Sequence, residues 1–156
     1  MFAFSTESEK RVAVIMAKYP FKKSALLPLL TLAQEQEGYV TSDAMVEIAQ
    51  RLDVSPAYVE SVCSFYTMYY TKPVGKYVLK FCINISCHLN GCDDLMGYTE
   101  EKLGIKAGDT TPDKKFTILK EECLAACTEA PVVQVNDKYY VNMNTAKVDQ
   151  LLEKLK

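Results

Sequence analysis

The sequence predicts an α+β protein, in which a helical N-terminal part precedes an α/β part with a mixed sheet. Apolar residues recur at helical spacing over roughly the first 71 of the 156 residues. After Pro73-Val74-Gly75, where proline and glycine interrupt regular structure, short β-rich segments alternate with helical patterns. We therefore place a domain boundary there, with a helical domain at residues 1–73 and a second domain at residues 74–156.

Four short amphipathic helices are predicted in the N-terminal domain. Ser24 and Ser42 are expected to cap the second and third helices, because serine is a favoured N-cap residue. Ser55-Pro56 is typical of a helix start, with the proline at the first helical position, and Gly38 is a helix stop. Four such helices with short links predict a four-helix bundle.

The second domain is predicted to alternate strands and helices. Strands are expected at residues 77–82 and 116–119 and in a hairpin around residues 136–138, with helices at 91–103 and after Asn144. The order β-α-β followed by β-β-α is that of a thioredoxin-like domain. A right-handed crossover makes the first two strands parallel, and the hairpin adds antiparallel strands.

Charge and hydropathy exclude several classes of function. The net charge of −2 and the pI near 5.5 provide no electrostatic reason to expect a nucleic-acid partner. The longest nearly apolar stretch, residues 25–32, is too short to cross a bilayer, which needs about 20 residues. The N-terminus lacks the basic start and long apolar run of a signal peptide. We expect a cytoplasmic protein without direct membrane insertion.

Six cysteines are the unusual feature of the composition, and five of them follow residue 80. Clustered cysteines in a cytosolic chain indicate metal or redox chemistry more than disulfides. Four of them form the pairs Cys82-x4-Cys87 and Cys123-x3-Cys127, and each pair begins where a predicted strand ends. Neighbouring parallel strands end at one edge of a sheet, so we expect four thiolates to meet there.

A pocket of four thiolates fits either Zn²⁺ or an iron–sulfur cluster. The loops between the paired cysteines are longer than the C-x2-C knuckles of structural zinc sites, which favours a 2Fe–2S cluster with one pair on each iron. Spacing alone leaves a 4Fe–4S cluster open. A Rieske centre needs two histidines, and the chain has only His88. A thioredoxin-type thiol exchanger is disfavoured because the sequence contains no C-x-x-C.

On these motifs the chain resembles the thioredoxin-like 2Fe–2S ferredoxin of respiratory complex I, the small subunit of the NADH dehydrogenase module in NADH–quinone oxidoreductase. The most specific segments are CINISCHLNG at residues 82–91 and ECLAACTEAP at residues 122–131. QEGYV at residues 36–40 and VCSFYT at residues 62–67 support the resemblance. The ordered agreement runs from about residue 15 to the C-terminus.

The resemblance implies one 2Fe–2S cluster ligated by Cys82, Cys87, Cys123 and Cys127. It further implies a larger flavoprotein partner that carries FMN, a 4Fe–4S cluster and the NADH site, with the helical domain docked on it. The cluster would exchange single electrons with that flavin, and the complex would hold the chain at the cytoplasmic face of the inner membrane. The equivalent subunit of an NAD-linked hydrogenase or formate dehydrogenase fits the same residues, and a zinc-stabilised interaction module is a weaker alternative.

Three positions depart from the family pattern. Ala125 stands where the family usually has glycine, so either its methyl group crowds the loop or its backbone does not need a positive φ. Lys114 replaces another common glycine, in what we expect to be a turn. Cys92 repeats the x4 spacing after Cys87 and could compete as a ligand, although we expect it to pack in a helix, as we do Cys63.

Overall fold

The computed structural model of the chain describes residues 2–155. The chain separates into two compact units, Met1–Pro73 and Val74–Lys156. Within residues 2–155, no helix has both the length and the apolar character needed to cross a membrane. The two units are described in turn.

The helical unit contains α1 (Thr6–Lys18), α2 (Leu26–Glu37), α3 (Ser42–Leu52) and α4 (Pro56–Phe65), with a 3-10 segment, Lys22–Ala25, before α2. All four predicted α-helices are therefore present. The hydroxyl of Ser55 accepts a hydrogen bond from the Tyr58 N–H, as predicted for the N-cap of α4. Gly38 ends α2 with a left-handed backbone, also as predicted.

Two predicted N-caps are wrong. Ser24 lies inside the 3-10 segment, and the N-cap position of α2 is Ala25, whose side chain makes no capping hydrogen bond. The cap of α3 is Thr41, not Ser42: its backbone is extended, and its hydroxyl accepts from the Ala44 N–H at 3.1 Å. Adjacent hydroxyl residues have similar capping propensities, so composition alone does not decide between them.

One apolar core joins the four helices of this unit. Cys63 is fully buried in it, which confirms the core role predicted for this cysteine. Arg51 supports the same unit from its rim by forming ion pairs with Glu9 at 2.6 Å and with Glu47 at 2.7 Å. The largest fully buried side chains of this core are Leu29, Leu30, Leu32, Ile48, Leu52, Val40 and Val59.

The second unit is built on a four-stranded sheet with the order β2-β1-β3-β4. The strands are β1 (Tyr77–Cys82), β2 (Phe116–Glu121), β3 (Val133–Val135) and β4 (Lys138–Tyr140). β1 pairs parallel with β2 and antiparallel with β3, and β3 pairs antiparallel with β4. This is the mixed sheet that the element order predicted.

Three helices complete this unit: α5 (Ile85–Leu89), α6 (Cys92–Leu103) and α7 (Thr145–Lys154). The sequence predicted α6 and α7 but not the five-residue α5, which is too short for a periodic pattern. The Tyr98 hydroxyl of α6 donates to Asp149 of α7 at 2.8 Å, and Lys102 pairs with the same carboxylate. Residues of both helices share one core with β1, through Leu79, Phe81, Leu95, Met96, Val148, Leu151 and Leu152.

Gly75 allows two backbone segments to approach closely at the start of this unit. Its N–H donates to the Thr117 hydroxyl at 2.7 Å, and a Cβ placed on it would lie 2.8 Å from backbone atoms of Lys115 and Phe116. Those atoms belong to the backbone where β2 begins and cannot move aside cheaply. The glycine in the Pro73-Val74-Gly75 linker is therefore required by packing.

We expect Gly75→Ala to destabilise the protein by about 2 kcal/mol, because the added methyl group overpacks against backbone. The midpoint of thermal unfolding should fall by about 4–8 °C for a chain of this size. Gly97→Ala is the matched control, because Gly97 lies inside α6 and its Cβ would meet no described atom within 4 Å. That variant should be unchanged or gain up to about 1 kcal/mol from helix propensity. Equal effects of the two substitutions would contradict the close approach.

Candidate metal centre

The parallel pair β1 and β2 brings the cysteine segments to one edge of the sheet. Cys82, the last residue of β1, is in register with Glu121, the last residue of β2. Cys123 follows two residues later along the chain. Cys87 lies inside α5, and Cys127 begins a 3-10 turn, Cys127–Glu129, that packs near α5.

The four cysteines differ in how deeply they lie in this edge. Cys82 and Cys87 are 2% and 1% exposed, whereas Cys123 and Cys127 are exposed. The Cys82 sulfur hydrogen-bonds with the side chains of Cys87 and Cys123, and Cys127 is close enough to act electrostatically on Cys87. The site therefore has a buried inner pair of cysteines, Cys82 and Cys87, and an exposed outer pair, Cys123 and Cys127.

Backbone N–H groups are directed at three of the four sulfurs. Those of Asn84 and Leu124 donate to Cys82, and that of Val132 donates to Cys87. The Ala125 N–H donates to the Cys123 sulfur at 3.3 Å. Such donors stabilise thiolates and, in iron–sulfur proteins, contribute to the reduction potential of the cluster.

The two thiols of the inner pair, Cys82 and Cys87, differ in the direction of their pKa shifts. Burial raises the pKa of the Cys82 thiol, but the backbone and cysteine hydrogen bonds outweigh burial and leave that pKa lowered. For Cys87 burial dominates, assisted by its hydrogen bond with Cys82, and the pKa rises to about 11. In the metal-free pair, Cys82 therefore ionises before Cys87.

The donor set fits an iron–sulfur cluster by its chemistry. Thiolates are the soft ligands that such clusters require, and N–H groups directed at sulfur compensate the negative charge of a four-thiolate site. Within residues 2–155, no three His, Cys, Asp or Glu side chains are grouped closely enough to hold one metal ion between them. The two cysteine pairs, joined through Cys82 and Cys123, would supply two ligands to each iron of a 2Fe–2S unit.

The remaining candidates around the site have other partners. The Cys92 thiol, which is 1% exposed, donates to the Cys82 carbonyl oxygen at 2.7 Å. Burial, followed by the negative charge of Asp93, raises the pKa of Cys92 to about 11, so it stays protonated near neutral pH. His88 Nδ1 lies 2.8 Å from the Asp93 carboxylate on the surface, and both side chains are more than half exposed.

Both departures from family glycines fall on left-handed backbone. Ala125 has φ +57° and Lys114 has φ +56°. Of the two alternatives for Ala125, the one in which its backbone does not need a positive φ is therefore wrong. The N–H of this left-handed residue donates to the Cys123 sulfur, two residues earlier. A residue with a Cβ has a steric cost there that glycine does not.

We expect Ala125→Gly to stabilise the cluster-loaded protein by about 1 kcal/mol, because glycine removes the left-handed strain. The thermal midpoint should rise by about 2–4 °C. Lys114→Gly is the control, since it relieves the same backbone conformation outside the cysteine loops. A fall in the midpoint with Ala125→Gly, alongside a rise with Lys114→Gly, would show that the alanine methyl group is needed for packing.

Sequence reasoning missed one buried charge pair beside the cysteines. Lys80 in β1 lies 3.3 Å from Glu121 in β2, and their side chains are only 8% and 13% exposed. The sequence does contain an indication of this pair. Val78, Lys80 and Cys82 occupy alternate positions of one strand, so the lysine shares a face of the sheet with two apolar residues. Charged side chains are seldom buried unless they are paired, so that lysine required a carboxylate partner.

Together the mixed sheet, the β-α-β order and the four cysteines at one edge define a thioredoxin-like protein with a candidate metal centre. The chain belongs to the thioredoxin-like [2Fe-2S] ferredoxin family, whose model matches residues 12–156. This confirms the family predicted from the motifs.

Similar proteins over nearly the whole chain are NADH-quinone oxidoreductase subunits. One from Rhizobium meliloti (strain 1021) is 41% identical over 144 residues, covering 92% of this chain and 86% of the relative. Another, from Rickettsia typhi (strain ATCC VR-144 / Wilmington), is 44% identical over 155 residues, covering 97% of this chain and 91% of the relative. These relatives confirm the expectation of an oxidoreductase subunit.

A solved structure shares the fold. The crystal structure of NAD+-reducing [NiFe]-hydrogenase in the air-oxidized state matches with a TM-score of 0.71 and 22% identity. The match covers 81% of this chain and 22% of the hydrogenase chain.

Proposed function

We propose that the chain is the thioredoxin-like ferredoxin subunit of an NADH–quinone oxidoreductase and carries one 2Fe–2S cluster on Cys82, Cys87, Cys123 and Cys127. The observation that carries the proposal is the arrangement of two buried and two exposed cysteines at one sheet edge, with backbone N–H groups directed at their sulfurs. The relatives match nearly the whole chain and are subunits of NADH-quinone oxidoreductase, which supports the same type of complex for this chain.

When bound, the cluster supplies one-electron redox chemistry between ferric and ferrous iron. The residues of this chain hold it and set its potential. Cys82 and Cys87 anchor the inner side in a small apolar cluster with Leu124 and Val132, which excludes water. Cys123 and Cys127 present the outer side, where an electron can enter or leave over a short distance.

The electron partner in this proposal is the FMN of a larger flavoprotein subunit, which also carries the 4Fe–4S cluster and the NADH site. Exposed apolar side chains beside the cysteines, Ile85 at 65% and Leu89 at 76%, suit burial against such a partner. The complex would hold the chain peripherally, at the cytoplasmic face of the inner membrane.

The helical unit offers a second contact surface for the same partner. Phe65 is 77% exposed at the end of α4 and packs edge-on against the half-exposed Tyr66. With Tyr58, Leu27 and Lys23 they line an open groove. Exposed aromatic residues are enriched in the central part of protein interfaces. The predicted four-helix bundle would thus serve as the docking domain.

The direct test of the cluster is anaerobic purification of the full chain, followed by iron, sulfide and zinc analysis and visible and electron paramagnetic resonance spectra. We expect two irons and two sulfides per chain, and a paramagnetic signal after one-electron reduction. A colourless protein with one zinc would overturn the redox role. A flavoprotein recovered from the source cell together with hydrogenase or formate dehydrogenase subunits would reassign the complex.

Docking through the helical unit is tested by Phe65→Glu. We expect this variant to keep its cluster spectrum and to lose most of its co-purification with the flavoprotein, because a buried unpaired charge at the centre of an interface is costly. Val14→Glu is the matched control, since Val14 is also an exposed apolar residue, at 59%, but lies on α1 outside the groove. Equal losses for both variants would contradict docking through the groove.

A further inference from the structure

Cys92 lies beside the candidate cluster site without belonging to the four proposed ligands. It is the first residue of α6 and follows Gly91, whose left-handed backbone (φ +85°) turns the chain from α5 into α6. This turn directs the Cys92 side chain inward, where it is 1% exposed. Its sulfur packs in the same small apolar cluster as Cys82 and Cys87.

The Cys92 thiol contacts one particular atom of the site, the Cys82 carbonyl oxygen, at 2.7 Å. That carbonyl belongs to the peptide between Cys82 and Ile83, which begins the loop to Cys87. The N–H of the same peptide, contributed by Ile83, donates to the Glu121 carbonyl at 3.0 Å. The peptide plane is therefore held at both ends, by Cys92 on one side and by β2 on the other.

The orientation of this peptide determines where the next donor points. One residue further on, the Asn84 N–H donates to the Cys82 sulfur. A rotation of the Cys82–Ile83 peptide would move both that N–H group and the carbonyl oxygen relative to the sulfur. Because hydrogen bonds to sulfur and local dipoles contribute to the reduction potential of a cluster, the peptide orientation affects the cluster electronically as well as sterically.

We propose that Cys92 is a positioning residue for the cluster, and that its S–H donor fixes the Cys82–Ile83 peptide and offsets the negative end of its carbonyl dipole. This role rests on the proposed 2Fe–2S site. In this proposal Cys92 donates a hydrogen bond and does not bind iron. Its spacing after Cys87 had suggested that it could compete as a ligand.

Removal of the donor should make the cluster harder to reduce, since an unpaired carbonyl oxygen beside it opposes added negative charge. We expect Cys92→Ala to lower the midpoint potential by up to about 59 mV. This shift corresponds to a tenfold change in the equilibrium constant of the one-electron reduction. Cys92→Val should behave in the same way, because it keeps apolar volume without a donor. Cys92→Ser keeps an O–H donor in a similar volume and should restore the wild-type potential.

Two measurements on the purified full chain test this role: a redox titration followed by electron paramagnetic resonance, and amide hydrogen exchange of Ile83 and Asn84 in the metal-free protein. We expect the alanine and valine variants to keep two irons, to titrate lower and to exchange faster at these amides than wild type and Cys92→Ser. Wild-type potentials and exchange in all three variants would overturn the positioning role, as would a serine variant that behaves like alanine.

Failure of the proposed function has a different signature. A wild-type chain without two irons and two sulfides would refute the 2Fe–2S site itself, independently of any Cys92 variant. A Cys92→Ala protein that loses its iron as completely as Cys87→Ser would overturn the positioning role by making Cys92 a ligand.

Discussion

Cys127→Ser is expected to abolish most of the visible absorption and iron content of the anaerobically purified protein. A serine alkoxide is a harder and more basic donor than a thiolate, so the iron that Cys127 and its partner would hold loses a suitable ligand. Cys127 is exposed, so the substitution should leave the folded core intact. Cys82→Ser should have the same effect on iron and should also lower stability, because it places a hydroxyl among the buried side chains around Cys82.

Two cysteine variants serve as controls for this prediction. Cys63→Ala lies in the core of the helical unit and should lower the thermal midpoint while leaving the cluster spectrum unchanged. Cys92→Ala should keep its iron and nearly all of its visible spectrum, with only the potential shifted. If Cys127→Ser retained a full complement of iron and Cys92→Ala lost it, the ligand set would be wrong.

Periodicity predicted most of the fold, because burial follows the pattern of apolar residues closely in this chain. β1 occupies the predicted residues 77–82, and α6 and α7 begin immediately after the predicted Gly91 and Asn144. The errors are the starts of α2 and α3 and the unpredicted five-residue helix α5. Thr41 and Ser42 are chemically alike as caps, and the 3-10 segment containing Ser24 depends on packing that no local pattern encodes.

The candidate site was predictable as a set of residues but not as a geometry. Strand ends placed Cys82 and Cys123 at one edge, which follows from the parallel order of β1 and β2. Spacing could not show that α5 would bury Cys87 while Cys127 stayed exposed. It also could not show that Cys92 donates to the Cys82 carbonyl, since that contact depends on the left-handed turn at Gly91.

The backbone conformation of Ala125 could not be predicted from the sequence. The family pattern identified the position as unusual, but only the backbone dihedral reveals that the chain keeps a left-handed conformation there without glycine. The strain is retained at a residue whose N–H donates to a candidate ligand. Strained positions of this kind tend to occur at functional sites, where the surrounding structure holds them in place.

Lys80→Met is expected to destabilise the protein by about 3 kcal/mol, because it leaves the Glu121 carboxylate buried without this ion-pair partner. The thermal midpoint should fall by about 6–12 °C. Lys80 lies two residues before Cys82, and Glu121 is the register partner of Cys82. The loss should therefore extend to the cysteine edge, with faster release of iron on exposure to air.

The double variant Lys80→Met with Glu121→Leu separates the cost of removing one charge from the value of the pair. Replacing a buried ion pair by apolar side chains of similar volume is often neutral or stabilising, so we expect the double variant to unfold within about 1 kcal/mol of wild type. A double variant as unstable as Lys80→Met alone would mean that the pair itself holds β1 to β2. A single variant with unchanged stability would contradict the expected cost of removing Lys80 from the pair.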